Sequence, residues 1–206
     1  MKLTLLLGLL LLTVNSFALP DCIVEENSEF PYRVYDDESN LKLGTSGYST
    51  MDLCQKAIHT KDFRIVCAPL SKLGEVGSVI TSTRTGEPVG FKHDPYFTSV
   101  DFCSEAINNT CGNTVCVPGP NANVMSLIDF QKNVVLGVPF SSISFCKWAS
   151  LSASFSGSDS YICAMNPKGN AEILDRSTGK WTGLPFVKTK ECYDFLENCR
   201  KKQRKS

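Results

Sequence analysis

Apolar side chains recur at strand spacing ahead of turn signals along this chain. Near its end, Ala171–Asp175 has the spacing of a β-strand, and the Arg-Ser-Thr-Gly sequence ending at Gly179 is a turn whose Gly readily takes a positive φ. The equivalent positions of earlier turns hold Asn40, Gly86 and Asn133. Asn and Gly best tolerate the left-handed conformation, so the pattern predicts a β-hairpin at each place.

The hairpin signal belongs to a longer pattern that returns every 46 or 47 residues. An Asp or Ser is followed by a turn-type Asn or Gly, then by a second Gly, and then by an aromatic residue about six positions before a Cys. The four copies are Asp36/Asn40/Gly44/Tyr48/Cys54, Ser82/Gly86/Gly90/Phe97/Cys103, Asp129/Asn133/Gly137/Phe140/Cys146 and Asp175/Gly179/Gly183/Phe186/Cys192. Such self-similarity predicts a protein built from internal repeats.

Each part of the pattern has a local structural interpretation. The Asp before a turn is interpreted as a cap on that turn, because its side chain accepts hydrogen bonds from nearby backbone N–H groups. Ser and Thr residues ahead of each recurring Cys predict the N-terminus of a helix. The Cys then faces inward from the first helical turn, with the aromatic side chain packed beneath the helix. The helix-starting residues are Ser49/Thr50, Thr98/Ser99, Ser141/Ser142 and Thr189.

A short β-type run that ends in Cys67, Cys116 or Cys163 leads into the later hairpins. The sequence therefore predicts an α+β fold of four tandem, disulfide-stapled strand/β-hairpin/helix repeats of about 46 residues, with helices on one face of antiparallel sheet. The predicted segments are a signal peptide (1–18), repeats 1 to 4 (19–66, 67–115, 116–162 and 163–199) and a frayed basic tail (200–206).

The N-terminal segment has the pattern of a cleaved signal peptide. Lys2 precedes an apolar run over 3–12, and Ser16 and Ala18 supply the small residues of a cleavage site. That run is about half of the 20 residues needed to cross a membrane. We therefore expect a secreted protein, located in the extracellular space or the periplasm.

All 10 Cys lie beyond this segment, which favours disulfides over metal binding. One scheme joins each helix Cys to the strand Cys that opens its repeat, and the other joins it forward across the helix. The first scheme is Cys22–Cys54, Cys67–Cys103, Cys116–Cys146 and Cys163–Cys192; the second is Cys54–Cys67, Cys103–Cys116, Cys146–Cys163 and Cys192–Cys199. We favour the first, because an unbroken last helix would hold Cys192 and Cys199 about 10.5 Å apart, beyond disulfide reach. Cys111 is then either the partner of Cys199 or a free thiol.

Formal charge is balanced, with 21 basic and 21 acidic residues, but it is unevenly distributed. Residues 19–62 carry nine acidic and four basic side chains, whereas 163–206 carry five acidic and ten basic. These are either two solvated faces or a sign that repeat 1 meets repeat 4, within the chain or between molecules. The basic tail suits weak contact with an anionic surface, and the balanced charge argues against nucleic-acid binding.

No catalytic, cofactor or metal site is predicted. His59 and His93 are not spaced as metal ligands with any Cys. Ser144 and Lys147 match a Ser-x-x-Lys pattern, but Ser144 lies where the repeat requires a helix start. We therefore expect a non-enzymatic binding or structural protein; the alternative is a secreted inhibitor or effector that acts on another protein, such as a hydrolase.

Positions at which the copies differ are the candidates for ligand recognition, because loops on a common scaffold carry specificity. The predicted recognition residues for an unknown protein or glycan ligand are Tyr96, Trp148, Lys180 and Trp181. The alternative is that both Trp side chains belong to the core. Asn108 begins an Asn-Asn-Thr sequon and is a possible glycosylation site.

Overall fold

A computed structural model describes residues 19–70, 77–91, 96–110, 112–121, 123–152 and 161–203, with side chains up to Asn198. The predicted signal peptide, His93 and Cys111 lie outside these residues, as does the side chain of Cys199. Within the described chain, no helix combines the length and the apolar character that crossing a membrane requires.

The described residues form a mixed α+β fold, as the sequence predicts. The strands are β1 (Asp21–Val24), β2 (Tyr32–Asp36), β3 (Leu41–Tyr48), β4 (Ile65–Pro69), β5 (Ser78–Ser82), β6 (Thr114–Pro118), β7 (Met125–Asp129), β8 (Val134–Val135), β9 (Tyr161–Met165), β10 (Ala171–Asp175) and β11 (Lys180–Phe186). The helices are α1 (Met51–Ile58), α2 (Val100–Asn108), α3 (Ile143–Ser152) and α4 (Thr189–Gln203).

The strands form four small antiparallel sheets instead of one continuous sheet in the described residues. We call the sheet β1–β3 with α1 unit 1, β4–β5 with α2 unit 2, β6–β8 with α3 unit 3, and β9–β11 with α4 unit 4. In unit 2 the third strand is reduced to isolated bridges, Thr81 to Pro88 and Ser78 to Phe97. The backbone bonds on either side of Pro88 are made: the Ser82 N–H donates to the carbonyl oxygen of Glu87 at 3.0 Å, and the Val89 N–H donates to that of Ile80 at 2.8 Å.

Three of the predicted helix caps are confirmed. The hydroxyl oxygens of Thr50, Ser99 and Ser142 each accept a hydrogen bond, at 3.3 Å, from the N–H group three residues later. The prediction for α4 is wrong, because Thr189 is already the first helical residue. The residue before it is Lys188, which has no oxygen in its side chain with which to accept the N–H groups of the first turn.

The inward orientation of each recurring Cys is also confirmed. Cys54, Cys103, Cys146 and Cys192 are buried, and the aromatic residues Tyr48, Phe97 and Phe140 are buried with them. The Tyr48 hydroxyl donates to the carbonyl oxygen of Cys67 at 3.2 Å. Burial raises the pKa of this hydroxyl well above its usual value.

Four disulfides join the first strand of each unit to its helix, as in the first of the two predicted schemes. They are Cys22–Cys54, Cys67–Cys103, Cys116–Cys146 and Cys163–Cys192, each with a Cα–Cα distance of 6.0 Å. The four Cys pairs of the alternative scheme are thereby excluded. Helix α4 is unbroken from Thr189 to Gln203, so its first four residues beyond Cys199, predicted to fray as a tail, are helical.

Neighbouring units share their cores. One buried cluster combines residues of units 1, 2 and 3, among them Val34, Ile107 and Val115. A second joins units 3 and 4 and includes Phe140 and Ile162. No buried cluster in the described part of the chain contains residues of both unit 1 and unit 4. Each sheet is therefore stabilised by the unit beside it in the sequence.

The second Gly of each copy, here called the bulge glycine after the register shifts around Gly44 in unit 1 and Gly183 in unit 4, has a positive φ: +86° at Gly44, +94° at Gly90, +75° at Gly137 and +79° at Gly183. Three of them also approach the next unit closely. A β-carbon at Gly137 would lie 2.4 Å from the carbonyl oxygen of Met165, whereas one at Gly183 would meet nothing within 4 Å. Gly137 is thus required for its conformation and for the space it leaves.

This difference gives a matched pair of substitutions. Both Gly137→Ala and Gly183→Ala introduce strain at a positive φ, but only the first forces a β-carbon against backbone. We expect Gly137→Ala to lower the free energy of unfolding by about 1–3 kcal/mol more than Gly183→Ala does. Urea unfolding of dilute protein measures both. Equal losses would mean that units 3 and 4 do not pack as closely as described.

Candidate binding cleft

The hairpin turns of units 1, 3 and 4 are built around carboxylates, as predicted. Asp36 accepts a hydrogen bond from the Ser39 N–H at 2.8 Å. Asp129 accepts from the N–H groups of Gln131 and Lys132, and Asp175 accepts from Ser177 and Thr178. Hydrogen bonds from Ser177 lower the pKa of the Asp175 carboxyl. Each of these three turns is stabilised by its own Asp side chain.

Side chains also join each turn to the following unit. The Ser39 hydroxyl donates to the carbonyl oxygen of Thr83 at 3.1 Å, and the Gly90 N–H donates to Asn133 Oδ1 at 2.7 Å. The guanidinium of Arg176 pairs with Asp129, whose side chain is 2% exposed. These contacts hold successive turns in register along one end of the molecule.

The turns of units 1, 2 and 3 enclose a cleft of about 820 Å³. This volume lies within the range of small-molecule and peptide sites, roughly 300–1,000 Å³. Phe63, 43% exposed, and Arg84 reach solvent at the cleft, whereas Phe130 is buried in its wall. Glu38 and Glu87 add exposed negative charge, so the lining combines an aromatic surface with both signs of charge.

Arg64 fixes one wall of the cleft. Its guanidinium bonds Asp62 through Nε at 2.9 Å and Nη2 at 2.6 Å, and its Nη1 donates to Asn113 Oδ1 at 2.8 Å. Its Cζ lies 4.8 Å from the centroid of the Phe130 ring, as in a cation–π contact. The hydrogen bonds to Asp62 raise the pKa of Arg64. Arg64 thus links units 2 and 3 beside the exposed side chains of Phe63 and Arg84.

The buried carboxylates of the described chain are engaged in structure. Asp36 and Asp129 cap their turns, and Glu172 accepts from the Gly183 N–H and from Asn166 Nδ2, both at 2.7 Å. Among the described residues, no group of three or more His, Cys, Asp or Glu side chains has an arrangement that could hold a metal ion.

The recognition residues predicted from the sequence lie on different elements. Trp148 is half-buried on α3, with its ring centroid 5.0 Å from that of Tyr193 on α4 and 5.5 Å from Lys190 Nζ. Trp181 is half-buried against the core shared by units 3 and 4. Lys180 is exposed beside it on β11, and Tyr96 is half-buried next to Phe97.

Asn108 is exposed at the end of α2, where its Oδ1 accepts from the Lys61 N–H at 2.8 Å. That bond uses the carbonyl oxygen and leaves Nδ2, the atom that a glycan would modify, outside it.

Phe63, by contrast, was not among the recognition residues predicted from the sequence. It lies four residues before Cys67, and the equivalent positions before Cys116 and Cys163 hold Gly112 and Asp159. Phe63 is therefore specific to one copy, and the criterion that selected Trp148 and Trp181 would also have selected it.

Comparisons with known proteins return no relative. No family model matches the chain, and neither the curated proteins nor the solved structures include a significant match.

Proposed function

We propose that this protein is an exported, non-enzymatic binding protein, in which four tandem disulfide-stapled repeats hold a recognition cleft for a segment of another polypeptide. The observation that carries the proposal is the cleft of units 1 to 3, where Phe63 and Arg84 are accessible beside side chains fixed by hydrogen bonds. Four disulfides fit a protein of an oxidising compartment, because such bonds persist there.

The rigidity of the cleft supports a binding role. Its wall is held by Arg64, its turns are capped by Asp36 and Asp129, and units 1 and 2 are each crosslinked by a disulfide. A preformed site loses little conformational entropy when a ligand binds, which raises affinity for a given set of contacts.

The lining favours a peptide over a neutral sugar. Arg84 stands with Glu38 and Glu87 at the cleft, and Phe63 is a partly exposed aromatic side chain. A polypeptide segment can match this set with side chains of both charges and with an apolar residue. Aromatic and Arg side chains are also the types that most often dominate the energy of protein interfaces.

The experiment is a selection of ligands from a displayed peptide library with the mature, disulfide-bonded protein, followed by affinity measurement on variants. We expect Phe63→Ala and Arg84→Ala each to weaken binding of a selected peptide by about tenfold or more. Phe102→Ala is the matched control, because Phe102 is an exposed Phe on α2 that does not line the cleft.

Equal affinities for wild type, Phe63→Ala and Arg84→Ala would place the ligand elsewhere and overturn the proposal. A glycan array run with the same variants separates the ligand classes. Glycan binding that depends on Phe63, without peptide binding, would keep the cleft and correct its ligand. Turnover of any selected ligand would contradict the non-enzymatic part.

A further inference from the structure

The three internal junctions of the chain bring the same two elements together. At each, the bulge glycine of one unit lies against the first strand of the next. A β-carbon at Gly44 would lie 3.1 Å from the carbonyl oxygen of Pro69, and one at Gly90 would lie 3.4 Å from Val117 Cγ2. At the third junction, beside Gly137, the Val138 N–H donates to the carbonyl oxygen of Met165 at 2.9 Å. The contact therefore has two complementary halves, a bulge face and a first-strand face.

Unit 4 carries a bulge face that nothing covers in the described chain. Gly183 has the same positive φ as the internal glycines, and Glu172 accepts its N–H at 2.7 Å, so the bulge is preformed. Beyond it, Leu184 is 52% exposed and Val187 is 86% exposed. In a repeat protein the terminal faces are normally polar, because they meet water in place of a neighbouring repeat. This face is apolar.

Unit 1 carries the other half. Val24 stands two residues after Cys22, as Pro69 stands after Cys67 and Met165 after Cys163. Pro69 is buried and Met165 is half-buried at the internal junctions, whereas Val24 is 58% exposed. Among the described residues, the strand position that receives a bulge glycine elsewhere in the chain is therefore exposed in unit 1.

The charges of the two ends are complementary. Residues 19–62 hold five more acidic than basic side chains, and 163–206 hold five more basic than acidic, an excess that comes from the five basic residues of the segment 200–205. Close to the two faces, Glu25 and Glu26 follow Val24, and Lys188 follows Val187. Opposite fields orient an encounter and disfavour pairing of two identical ends.

We propose that a second copy of this chain occupies these faces: the bulge face of unit 4 docks on the first-strand face of unit 1 of the next molecule. The contact continues the junction already made three times within each chain. It is heterologous, so it generates a closed ring or an open filament. This assembly goes beyond the proposed ligand binding and does not depend on the cleft, because the residues of the two faces do not line it.

The test uses the secreted, disulfide-bonded protein in sedimentation experiments at concentrations up to about 1 mM, where a complex with a Kd near that value would be well populated. The average mass of the wild type should rise with concentration. Leu184→Asp blocks the bulge face and Val24→Asp blocks the first-strand face, so each variant alone should remain monomeric. Val134→Asp is the control, because Val134 is similarly exposed but lies on β8 in unit 3.

Mixing the two blocked variants gives the decisive outcome. Each retains the half that the other lacks, so an equimolar mixture should form one-to-one dimers and nothing larger. A wild type that stays monomeric throughout overturns the proposal, as does association that survives both substitutions. Unchanged thermal unfolding of the variants shows that a loss of association is not a loss of folding. Peptide binding by the cleft is measured separately, so either proposal can fail alone.

Discussion

Asp129→Ala should lower the free energy of unfolding by about 3–5 kcal/mol, the usual cost of leaving one member of a buried ion pair without its partner. The Asp129 and Arg176 side chains are only 2% and 6% exposed. Asp129 also accepts two backbone N–H groups of its turn. The substitution therefore removes a turn cap and leaves the guanidinium of Arg176 buried without this carboxylate. Chemical unfolding followed by circular dichroism measures the loss.

Asp175→Ala is the matched control, because Asp175 is the equivalent turn residue of unit 4 and is bonded by Ser177 and Thr178. It lies more open to solvent, so its loss should be much smaller. Adding Arg176→Met to Asp129→Ala should recover part of the stability, since the buried charge is then gone. If Asp129→Ala costs no more than Asp175→Ala, the ion pair does not link units 3 and 4.

The sequence predicts the features that depend on chemistry within one unit. The turn caps of Asp36 and Asp129, the helix caps of Thr50 and Ser99, and the positive φ of the turn residues each follow from neighbours a few positions away. The helix-cap prediction at Thr189 was wrong because of a change in these local neighbours. The fourth copy has Lys188 at the capping position, and the nearest hydroxyl, one residue later, falls inside the helix.

Contacts between units could not be derived in this way. The positive φ of Gly137 is foreseeable from its residue type, but its approach to Met165 depends on how unit 3 stacks on unit 4. The period of the sequence pattern does not show in which direction one unit stacks on the next. The cleft was missed for the same reason, because Phe63, Arg84 and Phe130 lie far apart in the sequence and meet only when the turns align.

Trp148 and Trp181 illustrate the limit of reasoning from differences between copies. Both are specific to one copy, yet Trp148 packs on Tyr193 and Trp181 packs on a core. A residue that differs among the copies can contact a ligand. It can also fill space where its unit packs on a neighbouring unit that itself differs in sequence. Burial distinguishes the two, and by that measure Phe63 is the better candidate for recognition.

Removing the Cys116–Cys146 bridge by the double substitution Cys116→Ala/Cys146→Ala should lower the free energy of unfolding by about 3–4 kcal/mol, because this bond closes 30 residues and restricts the unfolded chain. Both sulfurs lie in the core that unit 3 shares with unit 4. Removing the bond should therefore lower the guanidinium concentration at which both units unfold, in one shared transition, instead of creating a separate early transition for unit 3.

The measurement is guanidinium unfolding followed by the fluorescence of Trp148 in unit 3 and of Trp181 in unit 4. Each Trp is examined in a protein in which the other is replaced by Phe. A loss below about 1 kcal/mol would mean that the bond contributes little in solution. Separate transitions for the two Trp residues would mean that the units are independent domains, which would remove the template from which head-to-tail docking is inferred.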